Sequence, residues 1–338
     1  MNMQSDFSLE GFNTFGFSSI AEQYCEPRSN EELESVLRWA KMHGLSIHVL
    51  GGGSNVLMAP RVSGLVVRPA MKHKNYDIVD DHVLVRAGAG EQWHELVSWS
   101  VQQGWSGIES MALIPGSVGA APVQNIGAYG TELKDVFHSL RAYDLKAECW
   151  VDFLVGACDF AYRDSRFKRE PGRYVITEVV IKLRLEPEGN ARYDALKAYF
   201  DKRGIEVPSV KQVFDGVCAL RRSKLPDPAL LGNAGSYFKN PIISAELHKQ
   251  ILIQWPKLVA YQEPDGQFKV AAGWLIDQCQ WKGRRQGQVG VYEKQALVLV
   301  NYGDGTRDQL LELATQVQQS VWLAFGIQLE VEPQLFPR

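Results

Sequence analysis

Three short stretches carry side chains that could do chemistry. Tyr162-Arg163-Asp164-Ser165 follows an apolar stretch and runs into Phe167-Lys168. A guanidinium placed there could clamp a carboxylate through two parallel hydrogen bonds, although an arginine taken alone defaults to a surface ion pair. The segment from Arg221 to Pro241, RRSKLPDPALLGNAGSYFKNP, is denser. Lys224 and Lys239 could meet phosphates, Asn233 and Asn240 could orient a ligand, and Ser236 follows Gly235 either as a placed hydroxyl or as part of a Gly-Ser turn. In Leu329-Glu330-Val331-Glu332 the alternation puts both glutamates on one face of a strand. Glu332 is then a buried acid or, by default, part of an exposed edge.

Two glycine clusters accompany these side chains. Gly51-Gly52-Gly53-Ser54-Asn55 comes straight after LSIHVL (45–50), but the apolar run that follows it is short and stopped by Pro60. A dinucleotide turn of the Rossmann kind should open a long helix, so this is a strand–turn–strand loop. It is either a tight turn or a row of backbone N–H groups closing on a pyrophosphate. The second cluster, IPGSVGAAPVQNIGAYG (114–130), holds Gly116, Gly119, Gly127 and Gly130 and carries no charge. It reads as a buried structural loop or as a surface that a large flat ligand approaches closely, with Ser117 and Asn125 adding hydrogen bonds to a diphosphate. Two such loops about 60 residues apart favour a dinucleotide cofactor.

Other chemistries are excluded by what is missing. Gly-Lys never occurs, so there is no P-loop, and no G-x-S-x-G elbow occurs either. The seven histidines show no ligand spacing, and no metal site is expected. The five cysteines are odd in number and scattered without a C-x-x-C pair, which argues against a disulfide framework and for a reducing compartment. With 36 basic and 39 acidic residues the net charge is −3, which points to neither nucleic acid nor an anionic membrane. The start MNMQSDFSLE lacks the regions of a signal peptide. The uncharged stretch from Ser110 to Thr131 fails as a membrane span because it carries four Gly and two Pro. A cytoplasmic, monomeric protein is expected.

The elements that must hold these residues can be placed in outline. Ser29 and Glu32 make a capping box for a helix with Leu33, Val36, Leu37 and Ala40 on one face, ended by Gly44. A second helix is expected over 91–103. From Val175 to Leu185 apolar and polar residues alternate, as in a half-buried strand. The charged segment 186–209, with Pro187, Gly189 and Pro208, reads as an excursion between domains. Helices are expected over 244–254, 271–280 and 308–325, and a strand over 296–301. At 338 residues with 45% apolar content, two or three domains of mixed helix and strand fit the chain.

In order along the chain come NTFG (13–16), GGGSNVL (51–57), IPGSVGAAPVQNIGAYG (114–130), YRDS (162–165), KLPDP (224–228), GNAGSYFKNP (232–241), AAGWLIDQCQ (271–280), QALVLVN (295–301) and LEVE (329–332). This set closely resembles the UDP-N-acetylenolpyruvoylglucosamine reductases, flavoenzymes of bacterial wall (peptidoglycan) precursor synthesis. The resemblance spans nearly the whole chain. It implies an α+β fold, with an FAD-binding region of the vanillyl-alcohol oxidase type in two subdomains and a C-terminal α+β substrate-binding domain. The expected divisions are 1–70, 71–209 with the 186–209 excursion, and 210–338.

The resemblance also implies noncovalent FAD, NADPH as reductant and UDP-N-acetylglucosamine enolpyruvate as substrate. Hydride would pass from reduced flavin to the enol ether, followed by protonation from Ser236. By motif, Arg163, Ser236 and Glu332 match the family's catalytic residues. Gly51, Gly52, Gly53, Ser54, Asn55, Pro115, Gly116, Ser117, Gly119, Asn125 and Gly127 match its cofactor loops. Tyr129, Lys224, Asn240 and Gln295 match substrate contacts, and Tyr193 matches a tyrosine that closes over substrate in the subclass with this insertion. The family's last block usually continues Glu-Val-Arg. Here it reads Glu332-Pro333-Gln334, so that arginine's contact is missing or supplied elsewhere.

Overall fold

The computed structural model describes residues 2–186 and 188–337, so Pro187, one of the expected boundary signals, lies outside the described residues. The first unit contains β1 (Met3–Ser8), β2 (Ile20–Cys25), α1 (Asn30–Met42), β3 (Ile47–Val49), β4 (Val56–Met58) and β5 (Arg61–Val67). Its sheet runs β1-β2-β5-β3, with β2, β5 and β3 parallel. The expected α1 forms, and Leu33, Val36, Leu37 and Ala40 are its buried face. Its cap differs in one detail. Ser29 accepts from the Glu32 N–H, but Glu32 reaches back to the Arg28 N–H, one residue earlier than a capping box requires.

The second unit is built on an antiparallel sheet of β6 (Lys74–Val79), β7 (His82–Gly88), β10 (Phe137–Asp144), β11 (Cys149–Leu154) and β12 (Tyr174–Arg184), in the order β11-β10-β12-β7-β6. Its other elements are α2 (Trp93–Gln102), the two-residue strands β8 (Gly127–Ala128) and β9 (Thr131–Glu132), and the short helix α3 (Arg166–Arg169). The expected half-buried strand is the central strand β12. From Ile181 to Arg184 it alternates as expected, with Lys182 and Arg184 exposed, and a register shift against β10 at Thr177 changes the faces before it. Ile176, Val179, Ile181 and Leu183 join one core while Val175 joins another beneath α1. Thr177, on the face expected to be buried, is 2% exposed. The excursion contains a helix, α4 (Asp194–Asp201), whose Leu196 and Phe200 enter the second core. Its neck is closed by Gly189 N–H donating to the Pro208 carbonyl. α5 (Val210–Lys224), expected at the start of the third unit, packs Val210, Val213, Val217 and Cys218 into that same second core.

The third unit has the sheet β13-β19-β18-β17, from β13 (Gly232–Ser236), β17 (Arg285–Gln286), β18 (Val289–Val291) and β19 (Val298–Asn301). A small sheet joins β14 (Ile242–Ile243), β15 (Ala260–Gln262) and β16 (Phe268–Val270). Around them lie α6 (Ala245–Gln254), α7 (Ala272–Gln278) and α8 (Arg307–Phe325), all close to their expected spans. The final strand β20 (Gln334–Phe336) crosses back to pair in parallel with β4 of the first unit. One core joins Leu9, Phe15, Phe17 and Leu57 to Tyr237, Phe238, Leu299 and Phe336, so the first and third units share their interior. Leu329-Glu330-Val331-Glu332 is less regular than expected, with one bridge from Val331 to Phe238.

Candidate active site

The two glycine loops meet face to face. A Cβ added at Gly52 would lie 2.6 Å from Gly116 Cα, and one at Gly53, where φ is +65°, would lie 1.8 Å from the Phe12 carbonyl oxygen. Only glycine permits that contact and that backbone conformation together. Polar ties reinforce the closure. Ser54 Oγ donates to the Pro115 carbonyl at 3.0 Å, and the Asn55 amide donates to Gln124 Oε1. Gly119 and Gly127 are small for the same reason. A Cβ on either would strike Ala89 or the Thr131 carbonyl.

Asn125, expected to reach a diphosphate, turns inward. Fully buried and left-handed at φ +46°, it donates to Glu132 and the Ala161 carbonyl and accepts from Lys134 N–H. Its amide holds the end of the second loop. Groups free to meet a ligand are found in the backbone. Among the described residues, the N–H groups of Gly51, Gly52, Gly53, Ser54, Asn55, Gly116 and Ser117 donate to no protein acceptor. A row of unpaired donors on uncharged loops fits a diphosphate. The adjoining clefts of about 240 and 410 Å³ share Gly51, Val56, Ser117, Ala120, Val123 and Gln334. The larger is walled by Ile47, Val49, Phe167, Tyr174, Ile176 and Phe336, apolar surface suited to a flat ring system. The residues present fit a bound dinucleotide.

At one end of the smaller cleft the structure brings together Arg163, Ser236 and Glu332. Ala161 and Asp164 exchange both backbone hydrogen bonds around a two-residue turn, Tyr162-Arg163. Arg163 takes its second position at φ +55°, which normally selects glycine. Such a residue stores about 1–3 kcal/mol of strain. From there Nε donates to Glu332 Oε1 at 3.2 Å and Nη2 to the Gly127 carbonyl at 2.8 Å. Glu332 is 8% exposed, so it is the buried acid and not the exposed edge. Burial pushes its carboxyl above the usual range, against the opposing pull of Arg163, Lys168 and Lys239. Its backbone is tied in by Glu332 N–H to the Tyr237 carbonyl and by Asn55 Nδ2 to the Glu332 carbonyl. Ser236 ends β13, beside Gly235 at φ +70°, where the pairing with β19 shifts register. Its hydroxyl makes no hydrogen bond within the described residues.

The other expected contacts fall in separate places. Tyr129, itself at φ +50°, meets the ring of Tyr193 edge-on at 5.5 Å. Tyr193, the residue before α4, is 43% exposed. Asn240 accepts from the Ala272 N–H at the start of α7, and Gln295 Oε1 approaches Gly273 there. Lys224 stands apart, exposed at the end of α5. Gln334, at the family's arginine position, lines both clefts and donates its N–H to the Asn55 carbonyl.

One residue was missed. Arg221 lines the cleft with a buried Nε that has no hydrogen-bond partner among the described residues, and its guanidinium is desolvated enough to lower its pKa. It follows Val213 and Val217 at four-residue intervals, the buried stripe of α5. That spacing was the available signal.

Residues 21–150 match the FAD binding domain family, and residues 227–336 match the C-terminal domain of UDP-N-acetylenolpyruvoylglucosamine reductase. The chain is 45% identical to UDP-N-acetylenolpyruvoylglucosamine reductase of Pseudomonas fluorescens Pf0-1, over 98% of each protein. It is also 45% identical to the protein of that name from Pseudomonas aeruginosa, over 99% of each. The crystal structure of UDP-N-acetylenolpyruvylglucosamine reductase from Thermus caldophilus matches 99% of this chain and 98% of its own, with a TM-score of 0.69 at 23% identity.

Proposed function

The chain belongs to the UDP-N-acetylenolpyruvoylglucosamine reductase family, and on that premise we propose how its residues divide the work. The enzyme is an FAD-dependent oxidoreductase of peptidoglycan precursor synthesis that uses NADPH to reduce UDP-N-acetylglucosamine enolpyruvate. The cofactor-loop backbone holds the diphosphate of FAD through the unpaired N–H groups of Gly51–Asn55, Gly116 and Ser117.

FAD held by these loops would, once reduced, supply the hydride that the methylene carbon of the enol ether accepts. Negative charge then develops on the neighbouring carbon and spreads into the attached carboxylate. Arg163 meets that charge with charge-assisted hydrogen bonds. Its Nε and Nη2 are fixed by Glu332 and the Gly127 carbonyl, which leaves Nη1 with no protein acceptor among the described residues. Glu332 therefore orients the guanidinium, and the three cations around it oppose the upward push of burial on its carboxyl. Ser236 Oγ–H delivers the proton to the carbanionic carbon. A hydroxyl is a weak acid, so the step depends on a strongly basic intermediate and on fixed geometry. Arg221 adds a second positive charge to the same cleft.

Tyr129 and Tyr193 form the aromatic edge over the substrate, with Lys224, Asn240 and Gln295 as further contacts. The support is their match to the family pattern and the Tyr129–Tyr193 ring contact. A division into 1–70, 71–209 and 210–338 is proposed for the three units, with α5 packed across the last boundary. No described helix is long and apolar enough to cross a membrane, and with a net charge of −3 we place the enzyme in the cytoplasm as a monomer that binds neither membrane nor nucleic acid.

The reading rests on one arrangement, the Arg163–Glu332 pair beside Ser236 at the end of the cleft. Ser236→Ala tests it by stopped-flow spectroscopy. Flavin bleaching by NADPH is expected to persist while reoxidation by the enolpyruvyl substrate slows by roughly 10²–10⁴-fold. Loss of both half-reactions together would make Ser236 a residue of folding or cofactor retention.

A further inference from the structure

We propose that Lys168 is a positioning residue that locks the Arg163 turn in its active conformation, an inference that rests on the role of Arg163 given above. Lys168 Nζ donates to the Arg163 backbone carbonyl at 2.9 Å. That carbonyl belongs to the one residue of the turn held at φ +55°, where a non-glycine side chain gains nothing from its own backbone preference. Something must select the conformation. The ammonium does so by charge-assisted hydrogen bonding to an oxygen whose position changes if the backbone leaves the left-handed region.

The lysine is itself well anchored. It lies on α3, a single turn capped by Ser165, which accepts from the Lys168 N–H at 3.3 Å. The same Ser165 hydroxyl donates to the Val123 carbonyl of the second cofactor loop at 2.6 Å. Phe167 is buried beside it. On the other side of the hairpin, Asp164 pairs with Arg169, also on α3. The turn is thus gripped from α3 at both its Arg163 carbonyl and its Asp164 carboxylate. The ammonium is half-buried, with Glu332, Asp164 and Glu330 attracting it and Lys239 opposing it. Placement of Nε and Nη2 against Glu332 and Gly127 follows from the backbone that Lys168 holds.

The test compares Lys168→Met, Lys168→Arg, Arg163→Ala and the double variant Lys168→Met/Arg163→Ala as holoenzymes. Each is assayed for flavin reduction by NADPH and for reoxidation by UDP-N-acetylglucosamine enolpyruvate. Misplacing a reacting group by about 1 Å can cost roughly 10²-fold, so Lys168→Met is expected to slow reoxidation by about 10–100-fold at saturating substrate. Reduction by NADPH and the KM for the enolpyruvyl sugar stay within about twofold, and Lys168→Arg, which keeps donor and charge, recovers most of the rate. On the Arg163→Ala background Lys168→Met changes reoxidation by less than about twofold, because the two act as one unit.

Equal slowing of both half-reactions, or a full effect of Lys168→Met on the Arg163→Ala background, overturns the positioning role and leaves Arg163 as proposed. Normal reoxidation in Arg163→Ala overturns the Arg163 reading itself, and the Lys168 inference with it. If Lys168→Met does not retain flavin, Lys168→Gln carries the same comparison with the same expected direction.

Discussion

Strain at Arg163 can be separated from its charge by replacing it in two ways. Arg163→Ala and Arg163→Gly both remove the guanidinium, its bond to Glu332 and its bond to the Gly127 carbonyl. Those losses are common to the pair and cancel in the comparison. What remains is the backbone at φ +55°. An L-residue in the left-handed region costs roughly 1–2 kcal/mol, which glycine avoids. Glycine gives back about 0.4–1 kcal/mol through the greater freedom of its unfolded chain. The Gly variant should therefore be the more stable by about 1 kcal/mol, which for a chain of this size raises Tm by about 2 °C. Both should show the same loss of reoxidation, about 10²–10³-fold for one missing donor to a developing anion. Scanning calorimetry at matched flavin content, with stopped-flow reoxidation on the same samples, makes the measurement. An Ala variant as stable as the Gly variant would refute the strain. Unequal reoxidation rates would show that backbone freedom at 163 matters beyond the lost side chain.

Gly52→Ala would push its Cβ against Gly116 Cα, 2.6 Å away, and so force the two loops apart. Purified protein should carry less FAD per chain than the wild type, and full flavin content would exclude this packing role. Glu332→Ala removes the acceptor that orients Arg163, and turnover should fall by about 10²-fold, whereas Glu332→Gln keeps that acceptor and should lose less. Burial raises the Glu332 pKa above its ordinary 4.5, so its contribution to stability is complete below that value and is lost as pH rises through the raised one. The Gln variant should accordingly gain stability relative to wild type as pH rises through that window, and a constant difference across pH would count against it. His94 Nδ1 accepts from Leu113 N–H at the entrance to the second loop, where Leu113 is at φ +57°. Burial, and then Arg222, lower its pKa below 6.5, so its support is present above 6.5 and lost as pH falls through the lowered value. FAD release on acidification should shift in His94→Gln, and an identical profile would remove His94 from the loop's support.

Local signals were legible where one short segment sets its own conformation. Ser29 and the Leu33–Ala40 stripe fixed α1, Thr306 and Gln309 cap α8, and glycine spacing located the two loops that meet face to face. Motif matching located Arg163, Ser236 and Glu332, which the structure gathers at one cleft. Readings failed where burial depends on distant partners. Alternation along β12 held from Ile181 to Arg184, but a register shift against β10 at Thr177 turns Ile176 into the second core and Val175 into the core under α1. The excursion looked like a charged linker because Leu196 and Phe200 are two apolar residues among many polar ones. Only the α5 surface they meet makes a helix of them. Asn125 shows the opposite limit. Its residue type suits a ligand contact or a left-handed turn equally well, and three partners from distant segments decide for the turn.

The placement of charge explains how a chain at −3 can serve a dinucleotide and an anionic sugar nucleotide in one cleft. Residues 51–55 and 114–127 contain no charged side chain, so on the proposed assignment a diphosphate there would rely on fixed backbone dipoles. Cations gather instead around the buried acid, where Arg163, Lys168 and Lys239 act on Glu332, and Arg221 lines the same cleft as Arg163. A ground-state diphosphate gains little from mobile charges that water would screen, whereas charge that appears only during reaction benefits from cations already desolvated and oriented. A buried carboxylate among them looks wasteful until its geometric role is counted. Without Glu332 the guanidinium would have a single fixed partner, the Gly127 carbonyl, and could rotate about it. Glu332 fixes the direction of the donors, which a developing carboxylate requires more than additional positive potential.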